Sequence, residues 1–259
     1  MKTIKTIFLL TLLSFSLLAQ NTFIAHRGAS YLAPENTVAA VKLAWETGAD
    51  AVEVDVHLSQ DNRVMVIHDA STKKTCSGKK NMTIKKTPSV VLRDLDAGVW
   101  KGEEFKGEKI PFLSEIIETI PEGKTLLVEI KSGTEILPAL RRCIDKSGKI
   151  DQITFISFGW ETILAAHNEF PDNKCYWLSA LKPGLKKKME EAASEGLAGV
   201  NLKYSIIDEE TVAQAQNLGL EVLTWTVDDP EEAKRLMDIG VTRITTNRPK
   251  WLKEEVAKL

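Results

Sequence analysis

Three carboxylates in this sequence stand at spacings that let them work together. Glu53 and Asp55 are two residues apart in the run Ala51 to Val56, and Glu129 with Lys131 repeats that interval at the end of the run Thr125 to Ile130. Side chains two apart on a strand leave the same face, so each pair converges. Crowded carboxylates repel and drive one another's pKa upward unless a cation holds them. An all-oxygen donor set favours a hard divalent ion, Mg2+ or Ca2+, over zinc. The competing reading is that Glu53, Asp55 and Glu129 are consumed in ion pairs with Lys131, Arg27 and other bases.

Two histidines add acid–base capacity. His26 closes one extended run in His26-Arg27-Gly28, and His68 closes another in His68-Asp69. A pair of imidazoles can take a proton and return it to a leaving group near neutral pH, or can ligate a metal. Arg27 and Lys131 add a planar fork and a point charge, both suited to a tetrahedral oxyanion, so a small-molecule phosphate ester is the expected substrate. Trp225, in Thr224-Trp225-Thr226, is expected either to wall a leaving group or to pack at a rim. His57, which shares the parity of Asp55, and His167, near Glu161 and Glu169, read as structural.

These side chains need a scaffold that gathers strand ends. Short apolar runs alternate with amphipathic stretches: Thr22 to Ala25, Ala51 to Val56, Thr125 to Ile130, Ile153 to Phe158, Cys175 to Leu178, Leu197 to Leu202, Leu220 to Thr226 and Val241 to Thr245. Gly48, Gly148, Gly196, Gly219 and Gly240 each follow a helical stretch, where a left-handed cap needs a residue without Cβ. Strand–helix alternation predicts a parallel sheet of right-handed βα units, and eight units close a barrel. The fold class is therefore α/β, a TIM (β/α)8 barrel, whose reactive groups belong at the C-terminal ends of the strands. Ala70 to Ile110 breaks the rhythm, being rich in Lys, Gly, Thr and Ser, and follows a short extended run Val64 to Ile67. It reads as an insertion of about 70–110 after the second strand, packed as a small cap beside the mouth.

The chain has 259 residues, 43% of them hydrophobic and 27% charged, which excludes a disordered, collagenous or disulfide-stapled protein. A formal charge of −2 offers no broad surface for nucleic acid or an anionic membrane. Residues 1–19 read as a signal peptide, with Lys2 and Lys5 ahead of an apolar stretch from Ile7 to Ala19, against the alternatives of an uncleaved anchor or a buried helix. Cleavage after Ala19 would leave residues 20–259 exported, periplasmic or extracellular, with no stable membrane anchor. Cys76, Cys143 and Cys175 match no zinc pattern and form no disulfide framework, so they read mostly as buried hydrophobes.

The ordered series His26-Arg27-Gly28, Pro34-Glu35-Asn36, Glu53-x-Asp55, His68-Asp69, Glu129-x-Lys131 and Thr246-Asn247-Arg248-Pro249 resembles the glycerophosphodiester phosphodiesterase family across nearly the whole mature chain. The resemblance implies a TIM barrel with a segment inserted after the second strand. It implies Glu53, Asp55 and Glu129 as metal ligands, His26 and His68 as acid and base, Arg27 and Lys131 as phosphate clamp, and Glu35 as a supporting residue. The implied reaction is hydrolysis of glycerophosphodiesters to glycerol 3-phosphate and an alcohol. One departure is Ala70-Ser71-Thr72-Lys73-Lys74-Thr75-Cys76, where family members often carry Leu and Arg-Thr-Thr; it lies in the insertion, which shapes the entrance rather than the chemistry. Rival readings are a phospholipase-like barrel acting on lysolipid or inositol-lipid phosphodiesters, a glycoside hydrolase using Glu53 and Glu129, and a silent binding barrel.

Overall fold

The computed structural model describes residues 21–77 and 81–259, so the expected signal segment lies outside the described residues. The strands are β1 (Thr22–His26), β2 (Ala51–Leu58), β3 (Val64–Val66), β4 (Thr125–Ile130), β5 (Ile153–Ser157), β6 (Cys175–Ser179), β7 (Gly199–Lys203), β8 (Glu221–Trp225) and β9 (Arg243–Thr246). All but β3 pair in parallel, from β2 through β4 to β9, and the ring closes through β1, which pairs with both β2 and β9. This is the eight-stranded barrel.

Parity decides which way each strand looks. In β2, Val52, Val54 and Val56 pack outward into the large core shared with the helices, whereas Ala51 belongs to the small cluster inside the ring. The same alternation in β4 sends Leu126, Val128 and Ile130 outward and Leu127 inward. Burying each such aliphatic side chain contributes about 1.5–3 kcal/mol, so a one-residue slip, which would invert every position, is strongly opposed. Glu53, Asp55 and Glu129 share the inward parity of Ala51 and Leu127, and lie nearer the C-terminal ends of their strands. The barrel floor beneath them is apolar, made of Ile24, Ala51, Leu127, Ile156, Tyr176, Leu178 and Leu223.

The helices that cover the ring, among them α3 (Leu113–Glu118), α6 (Leu185–Ser194) and α8 (Pro230–Asp238), follow from capping and amphipathic spacing. Thr37 caps α1 (Val38–Glu46) by accepting from the Ala40 amide, and Asp208 caps α7 (Glu209–Asn217) by accepting from Thr211. α4 (Leu137–Ser147) buries Leu137, Leu140 and Ile144, one face at intervals of three and four, and stops at Gly148, which adopts φ 65°. Among the described residues, no helix is long and apolar enough to cross a membrane.

β3 adds a ninth strand that the sequence shows only as an extended run. It pairs antiparallel with residues 56–58 of β2, beyond the point where β1 pairing stops, so β2 overhangs the ring and carries β3 at the rim. The chain then forms the inserted segment, with a short helix α2 (Ser89–Arg93) and a small core of Met65, Ile67, Ile84, Leu92, Ala97 and Ile110. Lys101 Nζ donates to the Ser30 carbonyl at 2.8 Å, tying this cap to the loop after β1. All three cysteines are free; Cys175 is buried, but Cys76 and Cys143 are only half-buried, a correction to the expectation of buried thiols. Cys143 lies on the flank of α4 rather than on its buried face.

Candidate active site

Strand ends bring the expected residues to one cleft. His26, Arg27, Glu53, His68, Glu129, Lys131 and Trp225 line a cavity of about 90 Å³, together with Phe158, Asn201 and Thr245. A larger surface groove of about 820 Å³ runs beside Arg63, Phe112 and Cys143, and holds none of the candidate residues.

The acidic centre is buried at the floor of the cleft. Glu53, Asp55 and Glu129 are 3%, 1% and 9% exposed, and each offers an oxygen within 4.8 Å of the other two. Burial, then the charges of Asp55 and Glu129, push the Glu53 carboxyl well above its ordinary range. Glu129 is pushed up to about 7 by burial and by Asp55, although Lys131 lies 2.7 Å from its Oε1. Burial also works against the charge on Asp55, but Lys131 at 3.3 Å and Arg27 at 3.3 Å hold its carboxyl below the usual range. One oxygen, Glu53 Oε1, is buried with no hydrogen-bond partner. A buried acceptor left unpaired is costly, and a cation would satisfy it while relieving the repulsion. The residues therefore fit a hard divalent ion, and the ion-pair alternative accounts for Asp55 and one side of Glu129 but not for Glu53.

The turn after β1 builds the basic side of the cleft. Arg27 takes φ 57° and Gly28 φ 80°, which turns the Arg27 amide toward Glu53 Oε2 at 2.9 Å. The Arg27 guanidinium donates to Glu35 Oε1 at 2.8 Å, and Lys74 Nζ lies 3.2 Å from both Glu35 oxygens. Glu35 thus buttresses Arg27 rather than facing an anion. Burial opposes the charges of Arg27 and Lys131, yet the surrounding carboxylates raise both above their ordinary values.

The two histidines have unlike partners. His26 Nδ1 lies 2.7 Å from Asn247 Oδ1, and burial followed by the charge of Arg27 lowers its pKa to about 4. His68 Nδ1 lies 2.6 Å from the Asp69 carboxylate. His57 supports this side, its Nε2 donating to the His68 carbonyl at 3.0 Å. His167 lies on α5 (Trp160–Glu169), away from the cleft. Trp225 stands edge-on to Phe158, with ring centres 5.5 Å apart, so the aromatic wall is a pair.

Some contributors have no assigned role in the sequence reading. Asn36 grips Asp55 at both ends, donating through Nδ2 to Oδ2 at 2.8 Å and accepting from the Asp55 amide at 3.1 Å. Asn36 and Asn247 both occur in the motif series, but only their long-range partners give them functions. Phe158, just beyond β5, and Asn201 on β7 carry no local signal that would mark them.

The profile of the Glycerophosphoryl diester phosphodiesterase family matches residues 26–251, which include the whole cleft. The chain belongs to that family. A glycerophosphodiester phosphodiesterase of Caldanaerobacter subterraneus subsp. tengcongensis is 34% identical over 243 residues, covering 91% of this chain and 97% of its own. A glycerophosphodiester phosphodiesterase of Bacillus subtilis is 28% identical over 247 residues, covering 87% and 83%. The structure of an Oleispira antarctica phosphodiesterase in complex with the product sn-glycerol-3-phosphate is similar with a TM-score of 0.86 and 31% identity, covering 92% of this chain and 97% of that one. As a member of the glycerophosphoryl diester phosphodiesterase family, this chain is an enzyme whose acidic triad suits the metal such chemistry uses.

Proposed function

We propose that this enzyme hydrolyses glycerophosphodiesters to glycerol 3-phosphate and an alcohol, with His26 and His68 as acid–base pair and Glu53, Asp55 and Glu129 holding Mg2+ or Ca2+. The observation that carries the reading is the convergence of this triad, including its unpartnered Glu53 oxygen, with two cations and two histidines in one cleft. The product named in the similar Oleispira structure supports it.

When bound, the cation supplies Lewis-acid stabilisation of charge on phosphoryl oxygens. Arg27 and Lys131 bind the same oxygens, the first as a fork and the second as a point charge. One histidine takes the proton of the attacking oxygen nucleophile, either water directly or the substrate's own glycerol hydroxyl with water then opening the cyclic ester, and the other returns a proton to the departing alkoxide. The Phe158 and Trp225 pair gives the leaving group an aromatic wall to pack against. Export of residues 20–259 after removal of the signal segment belongs to the same proposal, and N-terminal sequencing of the secreted enzyme tests it.

A phospholipase-like second reading finds support in exposed apolar side chains beyond strand ends, Phe158 after β5 and Leu181 after β6, where an acyl chain would lie. A panel of glycerophosphodiesters, lysolipids and nucleotide phosphodiesters, assayed with and without divalent ions, separates the readings. Turnover of glycerophosphocholine that survives exhaustive chelation removes the cation from the proposal, and preference for the lysolipid favours the second reading. His26→Ala and His68→Ala should each lower kcat by about 10²–10⁴-fold. A loss under about tenfold removes that histidine from the mechanism.

A further inference from the structure

Asn247 is an ambiguous partner for a histidine that must present a defined nitrogen, because an amide can face either way. With Oδ1 toward the ring it accepts, and His26 must carry its proton on Nδ1; reversed, Nδ2 donates, Nδ1 must be bare and the proton moves to Nε2. Since Nδ1 is the nitrogen at Asn247, Nε2 is the one left for the cleft. The direction of one amide thus sets whether neutral His26 offers the cleft a lone pair or a proton.

We propose that Asp228 is the positioning residue that fixes this direction. Its Oδ2 accepts from Asn247 Nδ2 at 2.5 Å, which a reversed amide could not supply. Its Oδ1 is held by the Asn247 backbone amide and by Thr246 Oγ1, both at 2.8 Å, so the carboxylate is itself fixed. The Ser30 hydroxyl also donates to Asn247 Oδ1, at 3.0 Å, but a hydroxyl can donate or accept and would serve either amide orientation. Asp228, in the loop after β8, is exposed and outside the cleft. It acts through Asn247 on His26, a path that joins the end of β8 to the end of β1 across β9. The inference rests on the acid–base reading for its consequence in turnover, and gives His26 the Nδ1–H tautomer suited to accepting a proton at Nε2.

The test combines histidine ¹⁵N NMR with kinetics, on the full enzyme with Mg2+ or Ca2+ added. In the unaltered enzyme neutral His26 should be protonated on Nδ1. Asp228→Ala should shift it wholly or partly to Nε2–H and lower kcat by about 10–100-fold with KM changed less than about threefold. Asp228→Asn keeps the shape but has one acceptor oxygen for three donors, and should fall between. Asn247→Asp supplies the decisive background, because a carboxylate accepts from either oxygen and has no wrong orientation. There, adding Asp228→Ala should leave the tautomer in place and cost less than about threefold in kcat. The proposal is overturned if Asp228→Ala leaves the Nδ1–H tautomer intact, or if it slows turnover equally in both backgrounds, as a merely structural role would. Should His26→Ala leave kcat within tenfold, the acid–base reading falls, while the NMR result still decides what Asp228 does.

Discussion

With one Glu53 oxygen sealed from solvent and partnered with no donor, Glu53→Gln removes a ligand and a buried charge together. Turnover is expected to fall about a hundredfold or more, the rate equivalent of several kcal/mol. Stability without added cation should hold or rise, because mutual repulsion is relieved. The stabilisation that the unaltered enzyme gains from cation, about 2.7 kcal/mol at a hundred times Kd, should vanish, and thermal unfolding with and without Mg2+ or Ca2+ checks both. Glu129, pushed up to about 7, carries a second expectation. A cation needs the ionised carboxylate, so binding should release protons and weaken as pH falls through about 7. Calorimetry near pH 6.5 in buffers of different ionisation enthalpy measures that release, and an affinity flat between about pH 6 and 8 would contradict it. The triad was legible in the sequence because strand parity is local. Asn36 on Asp55 and Asn247 on His26 act across 19 and 221 residues, and no spacing rule reaches that far.

At the scale of elements, the turn between β1 and α1 is the most constrained piece of the site. A Cβ at Gly28 would lie 2.6 Å from the Ala40 backbone, and φ is 80° there, so no side chain fits without moving α1. Gly28→Ala should destabilise the fold by about 1–3 kcal/mol, measured by urea unfolding, and should lower activity further by displacing the Arg27 amide from Glu53. An alanine variant with unchanged stability and rate would show that the turn relaxes freely. The helix-capping glycines were readable because a left-handed residue leaves a composition signal, and all five expected positions have positive φ. The pairing of β3 with the β2 overhang was not readable: Val64–Val66 is too short for periodicity, and its partner is chosen by where β1 pairing ends. The small core under the cap combines residues from Met65 to Ile110 that have no common period.

The whole molecule is a ring, and its closure makes the last elements as structural as the first. α9 (Pro249–Val256) follows β9, buries Leu252 completely and packs against β1. Leu252→Ala is therefore expected to cost about 2–5 kcal/mol of global stability, close to the end of the chain though it is. Tryptophan fluorescence and far-UV dichroism during urea unfolding should move together to a lower midpoint; a lost helix signal ahead of the fluorescence change would show that α9 frays independently. Eight strand-like runs sufficed to predict the barrel, since strand number and alternation leave few other closed solutions.

That closure has a further consequence. Asp50 accepts from the Phe23 amide at 3.0 Å and also faces Lys253 Nζ at 3.4 Å, so one carboxylate joins the first strand to the last helix. The order of the eight units around the barrel is cyclic, and a short linker between the neighbourhoods of Thr22 and Val256 would let the gene begin at another loop. Circular permutants opened near Gly148 should keep every strand pairing of the ring, and with it the cleft, because the barrel has a sequence of neighbours but no first member.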